Sequence, residues 1–154
     1  MNPQALAERV VGSMLAADSF SRWLGVELLD IEPGRCKLRM QVRDDMLNGF
    51  GRCHGGVVFS LADSALAFAS NSRGRVAVSV ENSLAYPAPA FPGDMLTALA
   101  EEQSHGDRIS TFHVSVTNQD ARKVGVFRGT VYRTRKTFPP SGAANPEPAD
   151  REET

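Results

Sequence analysis

A single carboxylate inside an apolar helical segment is the feature of this sequence with the clearest chemical potential. Asp63 lies in the segment 55–72, where apolar residues occupy every side of a helical wheel and predict a helix that is buried nearly all round. An ionised carboxylate in such surroundings is costly unless hydrogen bonds or neighbouring charges compensate it. Asp63 is therefore either a structural group that caps a neighbouring loop or a group whose charge takes part in a reaction.

The residues His54, Gly55 and Gly56 stand where this predicted helix begins. The first backbone N–H groups of a helix have no partner within the helix, and the macrodipole is positive at that end. A glycine allows a substrate oxygen to approach such an N–H without a side chain in the way. The start of the helix is thus suited to polarising a carbonyl oxygen, and the loss of such a donor typically raises a reaction barrier by about 3–4 kcal/mol.

The composition fits one soluble domain and argues against several classes of protein. The 154 residues include 18 acidic and 17 basic side chains, so no strong field favours nucleic acid or a membrane surface as a partner. No segment approaches the run of about 20 apolar residues that spans a bilayer, and the N-terminus lacks the order of a signal peptide. Cys36 and Cys53 have no C-x-x-C spacing, which predicts free thiols in a cytoplasmic protein. Because His54, His105 and His113 lack metal-ligand spacing, we expect no metal site.

The pattern of apolar residues predicts a helix, two strands, a long buried helix and then four strands. The predicted helices cover 3–17, a short turn at 20–24, and 55–72, and the predicted strands cover 26–31, 36–42, 76–86, 95–104, 108–118 and 123–134. The short connections favour antiparallel neighbours, which predicts an α+β fold with one sheet wrapped around the central helix. We expect one domain at 1–136 and a disordered tail, rich in proline, alanine and acidic residues, at 137–154.

Three motifs in a fixed order closely resemble the PaaI type of hotdog-fold acyl-CoA thioesterase. They are M-L-N-G-F-G-R-C-H-G-G-V-V-F-S-L-A-D-S-A-L-A-F-A-S-N-S at 46–72, F-P-G-D at 91–94 and V-F-R-G-T at 126–130. The resemblance spans about residues 5–135 and implies a curved antiparallel sheet around a long central helix. It also implies homodimers that pair their sheets edge to edge, usually assembled into homotetramers, with active sites at the dimer interface.

The same resemblance implies an activity. Enzymes of this type hydrolyse phenylacetyl-CoA, or ring-hydroxylated phenylacetyl-CoA, to the free acid and CoA in the bacterial phenylacetate degradation pathway. Coenzyme A is then part of the substrate, and no separate cofactor is implied.

The resemblance assigns roles to residues in and around the predicted helix. Gly55 corresponds to the oxyanion-hole glycine, and Asn48 to a residue that positions the water or the thioester carbonyl. Asp63 corresponds to the general base or nucleophile, and Ser79 best matches a supporting hydroxyl, a role that Ser64 could instead fill. In the family the glycine and asparagine come from one chain, and the carboxylate and hydroxyl come from the other. The spacing agrees, because Asp63 follows Gly55 by eight residues, on the order of 12 Å along a helix axis.

Substrate-binding residues are predicted from the same segments. Leu47 and Phe50, in the loop before the helix, are expected to line the acyl pocket, and Gly56 is expected to contact the substrate. Core packing explains the two apolar side chains equally well. Arg128, within the V-F-R-G motif, is expected to hold a CoA phosphate, and His54 is expected to orient its loop by hydrogen bonding.

Other interpretations of these residues remain open at this point. Asn48 precedes Gly49, and Asn-Gly is a common turn pair, so a plain turn residue is an alternative. A hotdog hydratase or dehydratase could shuttle protons between His54 and Asp63, although the helix-lengthening motif of that branch is missing. A third possibility is a non-catalytic acyl-CoA-binding protein. Regulators of that kind normally add a DNA-binding segment, for which this chain has neither the length nor the charge.

Overall fold

The computed structural model describes residues 1–139, which form three α-helices and six strands. Helices α1, α2 and α3 span Pro3–Ala17, Ser19–Leu24 and Gly55–Asn71, and a single 3₁₀ turn spans Asp44–Met46. Strands β1 to β6 span Glu27–Glu32, Arg35–Gln41, Arg75–Ala85, Met95–His105, Ile109–Thr117 and Lys123–Thr137. Each helix and strand expected from the sequence is confirmed, with its ends within three residues of those predicted.

The six strands form one antiparallel sheet in the order β1-β2-β4-β5-β6-β3. Helix α3 packs against β2, β3, β4, β5 and β6, so the sheet curves around the helix. This is the α+β hotdog architecture predicted from the sequence. The two edges of the sheet are β1 and β3.

Helix α3 is surrounded by protein, as its apolar composition predicts. Within the helix Gly56 alone is exposed, while Leu61, Leu66 and Phe68 are fully buried. Burying a side chain of that size contributes roughly 1.5–3 kcal/mol, so α3 anchors the core. The helix ends at Asn71, whose amide nitrogen donates to the carbonyl oxygens of Ala67 and Ala77 at 2.9 and 3.1 Å. These bonds tie the end of α3 to the start of β3.

The last strand is longer than the sequence indicates. Strand β6 continues to Thr137, past the predicted end at 134 and the predicted domain boundary at 136. The N–H of Phe138 then donates to the carbonyl oxygen of Gly74 at 2.9 Å, and the Arg75 guanidinium donates to the carbonyl oxygen of Thr134. These long-range bonds hold 135–139 in place despite their polar composition. The rest of the predicted disordered tail, 140–154, lies outside the described residues.

Strand β3 is an irregular edge strand. Ser79 pairs with Val131 and Glu81 pairs with Thr130, so Val80 is one extra residue, a β-bulge. The bulge reverses the alternation of sides along β3. Side chains facing α3 are odd-numbered before the bulge and even-numbered after it.

No helix among residues 1–139 has both the length and the apolar character needed to cross a bilayer.

Candidate active site

The start of α3 offers an unpaired backbone donor. His54 caps the helix, because its Nδ1 accepts the N–H of Gly56 at 2.9 Å and its carbonyl oxygen accepts the N–H of Val57 at 2.9 Å. Among the described residues, the N–H of Gly55 has no acceptor. His54 is thus the orienting residue of this turn, and Gly55 rather than Gly56 has an N–H available to a ligand.

Tyr86, the residue that follows β3, covers Gly55. Its hydroxyl donates to the carbonyl oxygen of Gly55 at 2.9 Å. A Cβ at Gly55 would lie 3.0 Å from the Tyr86 hydroxyl oxygen and 3.1 Å from the adjoining ring carbon. A larger residue at this position would require the exposed phenol ring to shift by a few tenths of an ångström. The sequence signals Tyr86 only as an aromatic residue at the end of a strand, and sequence reasoning missed it.

Asn48 is both a turn residue and a potential donor. Its side-chain oxygen accepts the N–H groups of Phe50 and Arg52 at 2.9 and 3.3 Å, which folds the loop before α3. Its side-chain nitrogen makes no hydrogen bond among the described residues. The two interpretations of Asn48 are therefore compatible, since the oxygen shapes the loop and the nitrogen is available to a ligand.

A pocket of about 360 Å³ joins these groups. Its lining residues come from the loop before α3, the start of α3, and the segment after β3; they are Asn48, Phe50, Arg52, Cys53, Gly55, Val58, Tyr86, Pro87, Ala88, Pro89, Ala90 and Val124. Phe50 is 90% exposed at the rim of the pocket. Leu47 is half-buried, does not belong to the lining and packs against the core, which favours its alternative interpretation.

The Cys53 thiol beside this pocket does not form a reactive pair with His54. Burial, with a smaller contribution from the charge of Asp94, raises the pKa of Cys53 to about 11. The thiol therefore remains protonated at neutral pH, when only a thiolate is a strong nucleophile.

Asp63 lies outside this pocket, two turns along α3. It is half-buried, and its Oδ1 accepts the side-chain N–H of Asn82, on β3, at 3.2 Å. Burial raises the pKa of Asp63 above its ordinary value, the Asn82 hydrogen bond lowers it in part, and the charge of Asp18 raises it further. A carboxylate with a raised pKa is better suited to accept a proton than an exposed one.

The two candidate serines differ in their surroundings. Ser64 is buried, and its hydroxyl lies 2.8 Å from that of Ser21, which in turn donates to Asp18 at 2.5 Å. Ser64 is thus engaged with α2. Ser79 is exposed, and because it pairs with the buried Val131 it lies on the helix-facing side of the unpaired edge of β3.

Arg128 lies apart from the first pocket. It is exposed on the outer face of the sheet, where it lines a groove of about 480 Å³ with His113 and Lys123. No grouping of three His, Cys, Asp or Glu side chains that could hold a metal ion occurs within 1–139.

The substitution Asn48→Asp separates the two functions of Asn48. It keeps the oxygen that shapes the loop and removes the side-chain N–H, so we expect the free energy of unfolding to change by less than about 0.5 kcal/mol. If that N–H binds the thioester carbonyl, as the resemblance implies, kcat/KM for thioester hydrolysis falls roughly 100-fold or more, the effect of removing one oxyanion-hole donor. Urea unfolding and steady-state kinetics measure the two effects. A loss of activity that is fully explained by unfolding of the variant would indicate that Asn48 is a turn residue only.

Comparisons with known proteins agree with this fold. A family model described as the thioesterase superfamily matches residues 50–125. A putative esterase from Archaeoglobus fulgidus is 38% identical over 136 residues, which cover 88% of this chain and 88% of the relative. The acyl-coenzyme A thioesterase PaaI from Escherichia coli is 36% identical over 126 residues, 82% of this chain and 90% of the relative.

Solved structures are similar as well. That of the Escherichia coli PaaI protein, from the phenylacetic acid degradation operon, matches 90% of this chain and 100% of its own with a TM-score of 0.87 and 33% identity. A Streptococcus mutans protein bound to acetyl CoA matches 73% of this chain and 90% of its own, with a TM-score of 0.71 and 29% identity. The chain therefore belongs to the thioesterase superfamily, as a hotdog-fold member of the PaaI type.

Proposed function

We propose that the protein is an acyl-CoA thioesterase that hydrolyses phenylacetyl-CoA, or its ring-hydroxylated relatives, to the free acid and CoA. One observation carries the proposal: the free N–H of Gly55 and the free amide nitrogen of Asn48 line the same pocket. Two donors in a concave site are suited to the carbonyl oxygen of a thioester. The similarity to relatives named as acyl-CoA thioesterases supports the same reaction.

The shape of the pocket supports an aromatic acyl group. Its walls include the rings of Tyr86, Phe50, Pro87 and Pro89, with the aliphatic side chain of Val58. Aromatic faces, proline rings and apolar side chains fit an aryl group, and a volume of about 360 Å³ is in the usual range for small-molecule sites. The phenylacetic acid degradation operon of the Escherichia coli neighbour points to the same acyl class and pathway.

The proposed chemistry starts from ionised Asp63. As a general base, it takes a proton from water while the water oxygen adds to the thioester carbon; as a nucleophile, it adds to that carbon and water then cleaves the anhydride. In both routes the C–S bond breaks, and CoA leaves as a thiolate that takes up a proton. Gly55 stabilises the charge on the carbonyl oxygen throughout.

We propose that each site is shared between two subunits of a homodimer, which pair into a homotetramer as in the family it resembles. Asp63 is absent from the pocket that contains Gly55, yet it contacts Asn82 on the edge strand β3. That edge carries the exposed side chains of Val78 and Val80, and an uncovered apolar edge is a liability for a monomer. Pairing β3 with a second copy covers the edge and brings Asp63 and Ser79 toward the partner's pocket.

The groove on the outer face is a candidate for the CoA phosphates. Arg128, His113 and Lys123 line it, and among the described residues neither Arg128 nor Lys123 forms an ion pair. The acetyl CoA bound by the Streptococcus mutans neighbour supports binding of CoA thioesters by this fold. Two buried free thiols, Cys36 and Cys53, are typical of a cytoplasmic protein, the location we propose.

A panel of acyl-CoA substrates tests the proposed function. Release of free thiol by the purified protein is expected to be at least about 10-fold more efficient with phenylacetyl-CoA than with acetyl-CoA, because burial of the aryl ring readily supplies such a difference in kcat/KM. Hydration of an enoyl-CoA is monitored in parallel. Hydration without thiol release would favour the hydratase alternative, and tight binding of CoA thioesters without either reaction would favour an acyl-CoA-binding protein.

A further inference from the structure

We propose that Asn82 is a positioning residue that holds the Asp63 carboxylate in its reactive orientation. The inference rests on the proposed role of Asp63 in hydrolysis. Among residues 1–139, the Asn82 amide makes the only hydrogen bond to the Asp63 side chain, at 3.2 Å to Oδ1. One carboxylate oxygen is therefore fixed, and the other, Oδ2, is left for water or the thioester.

The bulge in β3 is what turns Asn82 toward the helix. Asn82 pairs with Gly129, and Leu84, two residues on, pairs with the buried Phe127, so both side chains face α3. In a strand without the extra Val80, the alternation that starts at Ala77 would place residue 82 in solvent. The bulge thus places the Asn82 amide beside Asp63, the one carboxylate of α3.

The unsatisfied oxygen of Asn82 argues against a purely structural role. This Oδ1 is buried and has no hydrogen-bond donor among the described residues. The structural asparagine Asn71 differs, because its nitrogen donates to Ala67 and Ala77 and its oxygen accepts the N–H of Ala77 at 2.9 Å. A buried amide with one unsatisfied edge is less stable than an apolar side chain of similar size. The contact with Asp63 explains why an amide nevertheless occupies this position.

Gly129 provides the space for this amide. A Cβ at Gly129 would lie 2.8 Å from Asn82 Oδ1 and 2.6 Å from Leu66 Cδ2, closer than real contacts allow. Asn82 can reach Asp63 in this way only beside a glycine. Gly129, the glycine of the V-F-R-G motif, thus makes room for the side chain that contacts Asp63, although the two residues are far apart in sequence.

The electrostatics around Asp63 give this contact a measurable effect. Burial raises the pKa of Asp63, the Asn82 hydrogen bond opposes that rise, and the Asp18 charge at the start of α2 adds to it. Asp18 is itself bonded to Ser21, which contacts Ser64 beside Asp63. Removing the Asn82 donor leaves burial and Asp18 unopposed, so Asp63 should ionise at a higher pH.

The test compares Asn82→Leu with Asn71→Ser. For Asn82→Leu we expect kcat to fall roughly 10- to 100-fold, as for other partners that orient a reacting group, with KM little changed. The acid limb of the pH–rate profile should move to higher pH. Asn71→Ser should lower the melting temperature without moving that limb. If Asn82→Leu behaves like Asn71→Ser, the role of Asn82 is structural and the inference is wrong.

Titration of the Asp63 carboxyl carbon by NMR in the free protein makes the test independent of activity. The pKa is expected to rise in Asn82→Leu, and also in Gly129→Ala, which displaces the amide and serves if the first variant does not fold. An unchanged titration in a folded variant would overturn the inference. Full activity of Asp63→Asn would instead overturn the proposed role of Asp63 in hydrolysis, while the NMR titration would still report on the contact between the two residues.

Discussion

Replacing Asp63 by asparagine is expected to lower kcat for phenylacetyl-CoA hydrolysis about 1000-fold, within the range that a general base contributes. The amide has the shape of the carboxylate but cannot accept a proton from water at neutral pH. The KM should change little, because the pocket that contains Gly55 and Asn48 does not include Asp63. Thiol release under saturating substrate measures the first effect, and CoA-thioester binding by calorimetry checks that the ligand still binds.

The same substitution is expected to raise the stability of the folded protein at neutral pH. The pKa of Asp63 is higher in the folded chain than in the unfolded one, mainly because of burial. The folded state therefore loses stability as the pH rises through the window between the unfolded and folded pKa values, and a neutral side chain avoids that loss. Urea unfolding at neutral and acidic pH measures it. A variant that is inactive and also less stable at neutral pH would support the alternative of a structural carboxylate.

The variant Gly55→Pro is expected to lower kcat/KM about 100- to 1000-fold relative to Gly55→Ala, the cost of one oxyanion donor. Both variants place a Cβ against the phenol ring of Tyr86, 3.0 Å from its oxygen, and so share that steric change, while the proline ring also puts its Cδ where the N–H was. Only proline removes the backbone N–H. Proline fits here, because it is favoured at the first helical position and His54 already has the extended backbone, ψ 135°, that proline requires of its predecessor.

Circular dichroism and steady-state kinetics on the two variants make the comparison. Equal activity of Gly55→Ala and Gly55→Pro would mean that this N–H does not stabilise the oxyanion. Mixing Gly55→Pro subunits with Asp63→Asn subunits extends the test to the proposed shared site. Mixed dimers contain one site in which both groups are intact, so partial recovery of activity is expected after subunit exchange. No recovery, with exchange confirmed by mass spectrometry, would argue for sites within single subunits.

Much of the fold follows from local patterns in the sequence. Helix α3 is predictable because its apolar residues recur on every side, and its start is marked by a capping His54 followed by two glycines. The sheet follows from alternating strands joined by short turns. The end of β6 cannot be predicted from local pattern, because 135–137 are polar and are held by contacts with Gly74 and Arg75, which are distant in sequence.

The candidate site was predictable only in part, for similar reasons. Gly55, Asn48 and Asp63 belong to one continuous motif, whereas Asn82 and Tyr86 reach the site through β3. Regular alternation assigns Asn82 to the solvent side, and only the register shift beside Val80 places it against Asp63. Sequence periodicity carries no direct signal for one inserted residue.

The position of Val80 has a consequence for symmetry. Strand β3 spans Arg75–Ala85, and Val80 is its central residue. When two copies pair along the whole of this strand in antiparallel orientation, the two-fold axis passes through Val80, and an interface of that kind is self-complementary. A substitution at Val80 then lies opposite the same substitution in the other copy. A charged side chain at this position would be repelled by the identical charge on the other copy. A substitution toward either end of the strand would instead lie opposite a different residue.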